Sequence, residues 1–215
     1  MTATEFWDQR YASRAQVWSG RANQVLADVA ADLAPGRALD LGCGEGGDAL
    51  WLASRGWIVA AVDISTIAVE RGRAAAVVAG LPSDRITWLA RDLAEGVPDG
   101  PFDLVSASFL QSPVELAREE ILRGAAAAVA PGGHLLVVSH AAPPPWATQL
   151  DGHHHVFPTP ASDLAALDLA EGEWDVVAAE VRGRSATGPD GESATLDDTV
   201  VLVRRRPEPA GVDAA

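Results

Sequence analysis

Two acids accompany a run of glycines. Asp40 stands just before Gly42-Cys43-Gly44-Glu45-Gly46-Gly47, and Glu45 lies inside it. The short apolar run Ala38-Leu39-Asp40-Leu41 leads into this stretch, and Ala49, Leu50, Leu52 and Ala53 follow at helical spacing. Strand, tight turn and helix in that order bring bare backbone against a nucleotide-like ligand. Gly42 and Gly44 allow a turn and a close approach that a Cβ would block. A second strand, Trp57 to Val62, ends at Asp63, where an acid suits a pair of ribose hydroxyls.

Charge selects among the ligands that such a turn can hold. Gly42, Gly44 and Gly47 also fit a dinucleotide pattern, which would make the chain a nicotinamide-dependent oxidoreductase. A pyrophosphate, however, wants helix N-terminal amides with no carboxylate nearby, and Asp40 and Glu45 would repel it. A phosphate-binding Walker loop is excluded because no Gly-Lys-Ser/Thr follows. Two acids suit a ligand carrying an ammonium and a sulfonium, which is S-adenosylmethionine.

The segments Asp40-Leu-Gly-Cys-Gly-Glu-Gly46, Val62-Asp63-Ile64-Ser65, Ala90-Arg91-Asp92-Leu93, Phe102-Asp103-Leu104-Val105-Ser106 and Pro131-Gly132-Gly133-His134-Leu135 occur in this order. Together they resemble the successive cofactor motifs of class I S-adenosylmethionine-dependent methyltransferases, over roughly residues 5 to 140. Within that family the chain looks closest to small bacterial enzymes of the tellurite-resistance and thiopurine type. The resemblance implies S-adenosylmethionine as cofactor and assigns roles. Asp40 would accept near the methionine ammonium, and Gly42, Cys43 and Gly44 would form the turn beside it. Asp63 would bind the ribose hydroxyls and Ile64 would pack on the adenine. Asp92 would accept from the adenine amino group, with the Leu93 backbone alongside. Carbonyls of Ser106 and Ala107 would face the ammonium, and Ser108, Phe109, Leu110 and Gln111 would floor the acceptor side. The Asn/Asp-Pro-Pro-Tyr tetrad of many enzymes that methylate amines on nucleic acid is absent from that position.

The catalytic residues are not legible, because methyl transfer is an in-line displacement that mainly needs alignment. A base is needed only when the nucleophile carries a proton. The candidates are Tyr11, His140 and the tract His153-His154-His155. Adjacent histidines point different ways and seldom ligate one ion, so the tract predicts a solvated loop and no metal site, with one histidine as base or acceptor contact. Trp7 and Tyr11 share a helical face ahead of the core, and Trp18 follows. They read either as packing on the sheet edge or as a lid whose rings touch a cation. Arg10, Arg14 and Arg21 read either as solvated charges or as an attraction for an anionic substrate.

The elements that must position these residues alternate. The patterns predict strand 37–42, helix 46–55, strand 57–62, helix 66–79, strands 85–90 and 102–108, helix 113–130 and strand 133–139. Residues 5–33 read as helical with a break at Ser19-Gly20, and Ala141 to Pro160 as a long loop. A short helix, 161–169, follows. Trp174 to Val181 and Ala194 to Val203 then form an antiparallel hairpin, linked by a polar Gly183 to Gly191. This is an α/β chain: a Rossmann-like, doubly wound, mostly parallel sheet with helices on both faces. The organisation expected is a single domain over 1–206, with a helical lid at 1–36, a substrate-side loop at 141–157 and a disordered tail at 207–215.

Composition narrows the partners. The 215 residues carry a formal net charge of -14, which argues against a nucleic-acid substrate and leaves a small molecule or a protein; a small molecule is the expectation. All basic residues are arginine, so Schiff-base chemistry through lysine is excluded. No apolar run spans a membrane, and the N-terminus lacks a signal-peptide pattern. The single cysteine, Cys43, forbids an intrachain disulfide, and a cytoplasmic location is expected. Cys43 itself reads as a small filler of the turn, with a reactive thiol near a helix N-terminus as the alternative. A non-catalytic protein that binds the same cofactor is the rival reading. The oligomeric state is not legible.

Overall fold

Seven strands form one sheet in the order β3-β2-β1-β4-β5-β7-β6. The computed structural model describes residues 1–147, 157–188 and 190–208. The strands are β1 (Arg37–Leu41), β2 (Ile58–Asp63), β3 (Ile86–Ala90), β4 (Phe102–Ser108), β5 (Val129–His140), β6 (Trp174–Thr187) and β7 (Ser193–Arg205). Strands β1 to β5 pair in parallel, and β7 joins β5 and β6 antiparallel. The helices are α1 (Ala3–Ala12), α2 (Gln24–Ala31), α3 (Gly47–Ser54), α4 (Thr66–Val78), α5 (Arg118–Ala127) and α6 (Pro160–Ala166). No helix among the described residues is long and apolar enough to cross a membrane.

Helices cover both faces of the sheet, so its central strands are buried twice and read as nearly continuous apolar runs. On one face Leu39, Leu41, Val105 and Val137 pack with Ile121 and Leu122 of α5 and Leu164 of α6. On the other, Ala38, Leu104, Leu136 and Val138 pack with Leu26 of α2 and Leu52 of α3. Side chains alternate along β1, so Asp40 points to the same face as Ala38, toward α2 and α3. Strand order reverses between β1 and β4, which opens a crevice at their carboxyl ends.

Several boundaries differ from the sequence-based expectation. The helix expected over 113–130 begins only at Arg118, because Ser112 Oγ accepts the Val114 amide and Arg118 Nε donates to the Leu110 carbonyl. Those bonds hold residues 110–117 in an irregular path. The helix stops before Val129, which pairs with Phe102 and starts β5 early. A register shift between Phe102 and Leu104 accommodates the Pro131-Gly132-Gly133 segment. The link expected over 183–191 is largely strand: pairing runs on to Thr187↔Ser193, and the turn is closed by the Gly188 amide on the Glu192 carbonyl. A polar ribbon needs no apolar pattern where it extends past the core, so hydrophobicity did not report it. Residues 148–156, with His153, His154 and His155, and residues 209–215 of the expected tail lie outside the described residues.

Candidate functional site

Backbone geometry sets the turn after β1. Gly42, Gly44 and Gly46 have φ of 71°, 53° and 86°, a region that favours glycine. The Gly42 and Cys43 amides both donate to the Val62 carbonyl, at 2.8 and 2.9 Å, which ties the turn to the end of β2. A Cβ on Gly46 would lie 2.4 Å from the Trp88 ring, so β3 closes over the turn as well.

Asp63 ends β2 beneath this turn and is 7% exposed. Its Oδ2 accepts the Gly44 amide at 2.9 Å and its Oδ1 the Ser65 amide at 2.9 Å. Burial outweighs these bonds and pushes its carboxyl up to about 6. Ser65 caps α4 by accepting the Ala68 amide, so Asp63 is not that helix's cap.

Asp40 is the most constrained acid. It is 2% exposed, and its Oδ1 takes the Ser106 hydroxyl at 3.3 Å from the neighbouring strand β4. Its Oδ2 has no hydrogen-bond partner among the described residues. Burial, and then the charge of Asp48 on α3, raise its carboxyl well above the usual range. Burial likewise raises Asp48, whose Oδ1 accepts the Asn23 amide at 2.6 Å. A buried carboxylate oxygen without a partner is costly. Among the described residues these two neighbouring acids pair with no cation, and a ligand ammonium beside Asp40 would supply one. The residues present therefore fit the cofactor that the sequence motifs imply. Cys43 is buried and its thiol is pushed up by burial and then by Asp40, which fits a small filler of the turn and no thiolate.

The N-terminal segment lies on the turn. Tyr11 is 2% exposed, and its hydroxyl accepts the Trp18 indole N–H at 2.8 Å. Both atoms face Gly44, where a Cβ would lie 3.0 Å from the Tyr11 oxygen and 3.1 Å from the Trp18 ring. Burial, then Asp63, hold the Tyr11 phenol protonated, so this candidate base is a neutral hydroxyl. Glu45 clamps the same segment: its carboxylate accepts the Val17 and Trp18 amides, both at 3.0 Å, and pairs with Arg71 at 2.9 Å. Its task is to hold this cover, a role its place in the turn did not reveal.

Of the remaining predicted contacts, Asp92 spends Oδ1 on the Ala94 amide as the cap of a short 3-10 turn, Leu93–Glu95, with Leu93 buried. Ile64 is half-buried, and Ser106 and Ala107 are fully buried on β4. The structure thus gathers Asp40, Gly42, Cys43, Gly44, Asp63, Ile64 and Ser106 around one turn.

On the far side of β4, Phe109 takes a φ of 56° and stacks on His140 at 4.1 Å. His140 Nδ1 lies 3.1 Å from Asp198 Oδ1, and Asp198 Oδ2 accepts from Arg184 at 2.5 Å. Asp198 and Arg184 were missed by sequence reasoning. The signal available was Asp197-Asp198 in the middle of an otherwise strand-like run. A buried polar knot behind it was missed too: Asp163, 1% exposed, accepts from Arg118 at 2.6 Å and from Ser139 at 2.9 Å. Among the described residues no group of three or more acids, histidines or cysteines is placed to hold a metal ion.

A family model described as Methyltransferase domain matches residues 11–168. The chain is 33% identical over 146 residues to a protein of Mycobacteroides abscessus named 2-heptyl-1-hydroxyquinolin-4(1H)-one methyltransferase. That match covers 66% of this chain and 60% of the relative, so the chain spans less than two thirds of that protein's length. Among solved structures, one titled for conversion of a disulfide into a thioacetal during echinomycin biosynthesis superposes with a TM-score of 0.69. It is 22% identical, with 98% of this chain and 96% of that one covered. TehB of Haemophilus influenzae superposes with a TM-score of 0.61 at 17% identity, over 94% of this chain and 67% of that one. At these identities the two structures show the fold alone.

Proposed function

The chain belongs to the family of S-adenosylmethionine-dependent methyltransferases, and we propose that it transfers a methyl group from that cofactor to a small organic acceptor. The observation that carries this reading is the buried Asp40 carboxylate, with one oxygen unpaired beside Asp48. That pair suits the ammonium of the methionine moiety. Asp63 takes the ribose hydroxyls while keeping the Gly44 and Ser65 amides. Gly42, Cys43 and Gly44 let backbone approach the ligand, and Ser106 and Ala107 floor it from β4. Ile64 packs on the adenine, with Asp92 and Leu93 at its edge. When bound, S-adenosylmethionine supplies an electrophilic methyl carbon on a sulfonium. The chain's residues do the rest: they orient the acceptor and exclude water. The cover formed by Tyr11 and Trp18 serves the second task within the single domain of 1–206.

A small acceptor is supported by three features. The relative from Mycobacteroides is named for a hydroxyquinolone. The net charge of -14 opposes a phosphate backbone. The cavity beside His140 measures about 210 Å³. Incubation with methyl-labelled S-adenosylmethionine and a panel of small hydroxylated, amine and thiol acceptors tests the reading. Label should pass to at least one acceptor class and not to RNA. Tight cofactor binding with no acceptor labelled would favour the non-catalytic binding protein instead.

A further inference from the structure

At the carboxyl ends of β4 and β5 the chain builds a polar group that cofactor binding does not use. His140 ends β5, and its Nδ1 faces Asp198 Oδ1 of β7 at 3.1 Å. The Asp198 side chain is 3% exposed, and its second oxygen accepts Arg184 Nε from β6. The His140 amide donates to Gln111 Oε1 at 2.8 Å. Phe109 stacks on the imidazole at an interplanar angle of 17°. The ring is thus held by Asp198 and Phe109 and its backbone by Gln111, while the side chain stays 40% exposed.

These contacts have a chemical consequence. A carboxylate accepts, so the Nδ1 of a neutral imidazole carries the proton and Nε2 keeps its lone pair. His140 also borders the cavity of about 210 Å³, whose walls include Pro113, Pro143, Pro144 and Phe157. That volume is below the roughly 300–1,000 Å³ usual for drug-sized ligands, and its walls are largely apolar, so it suits one flat ring system. A neutral amine attacks without losing a proton first. A base oriented by a buried acid serves a nucleophile that is protonated at working pH.

We propose that His140 is the general base that takes the proton of an aromatic hydroxyl acceptor, with Asp198 as its positioning residue. This rests on the methyltransferase reading. The acceptor O–H bond breaks and its proton passes to Nε2. The acceptor oxygen bonds to the methyl carbon as the carbon–sulfur bond breaks, with that electron pair left on sulfur. The imidazolium then releases its proton to water. Among the described residues, the charged side chains held against His140 are Asp198 of β7 and, through Asp198, Arg184 of β6. Behind Ser139 stands the ion pair of Arg118 and Asp163, from α5 and α6.

The test uses a series of phenols from weakly acidic ones to 4-nitrophenol, which is largely ionised at assay pH. His140→Gln should lose about 10²- to 10⁴-fold in kcat/KM on the weakly acidic phenols, the usual contribution of a general base, and little on 4-nitrophenol. Asp198→Asn should move the acid limb of the pH profile to lower pH, a change that a packing defect would not produce. A readout without turnover is the phenolate band of 4-nitrophenol. It should strengthen on binding to the wild-type complex with adenosylhomocysteine in mildly acidic buffer, and not with His140→Gln. Unchanged affinity for adenosylhomocysteine in both variants certifies the fold. An equal loss across the series, an undiminished rate in His140→Gln, or methylation confined to amines would overturn the proposal. Failure of the wild type to bind adenosylhomocysteine would overturn the methyltransferase reading beneath it, and so this proposal as well.

Discussion

The Gly44 amide donates to Asp63 Oδ2 at 2.9 Å, so the acid that ends β2 already braces the turn after β1. Its second oxygen accepts the Ser65 amide, and one buried side chain thereby organises two loops.

Replacing Asp63 therefore has two separable effects. Asp63→Ala should weaken cofactor binding by about 1.5–3 kcal/mol, the usual size for hydrogen bonds to a charged group. From sequence alone, folding would be left nearly intact. The structure instead predicts a stability loss of about 1–3 kcal/mol, because buried amides lose their acceptor. Asp63→Asn keeps one acceptor and should recover part of the stability but less of the affinity. Chemical denaturation and calorimetric titration of both variants check this.

Protonation of the same residue should shape the pH dependence. Asp63 is raised from 3.8 to about 6 in the folded protein. Between those values the folded state holds a proton that the unfolded chain has lost. Its contribution to stability is therefore greatest at the acid end of the window and falls as pH rises toward about 6. Burial raises Asp40 and Asp48 too, with the same sign. The ribose hydroxyls would be held by the ionised Asp63, so affinity for adenosylhomocysteine should fall as pH drops below about 6, approaching tenfold per unit if one proton is displaced. Titrations on both sides of pH 6 measure it, and a flat affinity would exclude Asp63 from the site.

Glu45 should control the N-terminal cover. Glu45→Ala removes the acceptor of the Val17 and Trp18 amides and the partner of Arg71. A stability loss of about 1.5–3 kcal/mol is expected. Hydrogen exchange should show lost protection at Val17 and Trp18 ahead of the β6–β7 ribbon. In the wild type, adenosylhomocysteine should raise protection across residues 5–18, because a cover must open to exchange ligand. Equal protection with and without ligand would make the segment permanent packing.

Trp88 offers a packing test away from the acids. Gly72 of α4 faces its ring, and a Cβ there would lie 2.4 Å away. Gly72→Ala should cost about 1–3 kcal/mol by overpacking. The double variant with Trp88→Leu should recover part of that loss, whereas two additive losses would mean the contact is looser than described.

The parallel core was legible because its strands read as short apolar runs between helical apolar periods, and the glycine turn because the φ that Gly42, Gly44 and Gly46 adopt favours glycine. The places of Asp40 and Asp63 beside that turn were legible because they lie at the carboxyl ends of β1 and β2. The roles of Glu45, Asp198 and Asp163 were not. Each depends on a partner far along the chain: Val17 and Trp18, His140, and Arg118. A polar pair joined only by folding leaves no local pattern. The β6–β7 hairpin was legible, but its extension to Thr187 and Ser193 was not, for the related reason that this outer part packs on no core.

The most direct test of the central claim is calorimetric titration of the wild type and Asp40→Asn with adenosylhomocysteine, with its analogue lacking the amino group, and with NAD. The account predicts binding of adenosylhomocysteine and none of NAD. Removing the amino group should weaken binding to the wild type by about 1.5–3 kcal/mol, the range for charged hydrogen bonds, and should matter far less in Asp40→Asn. Binding of NAD without adenosylhomocysteine, or an equal loss in both proteins, would contradict a site built around the Asp40 carboxylate.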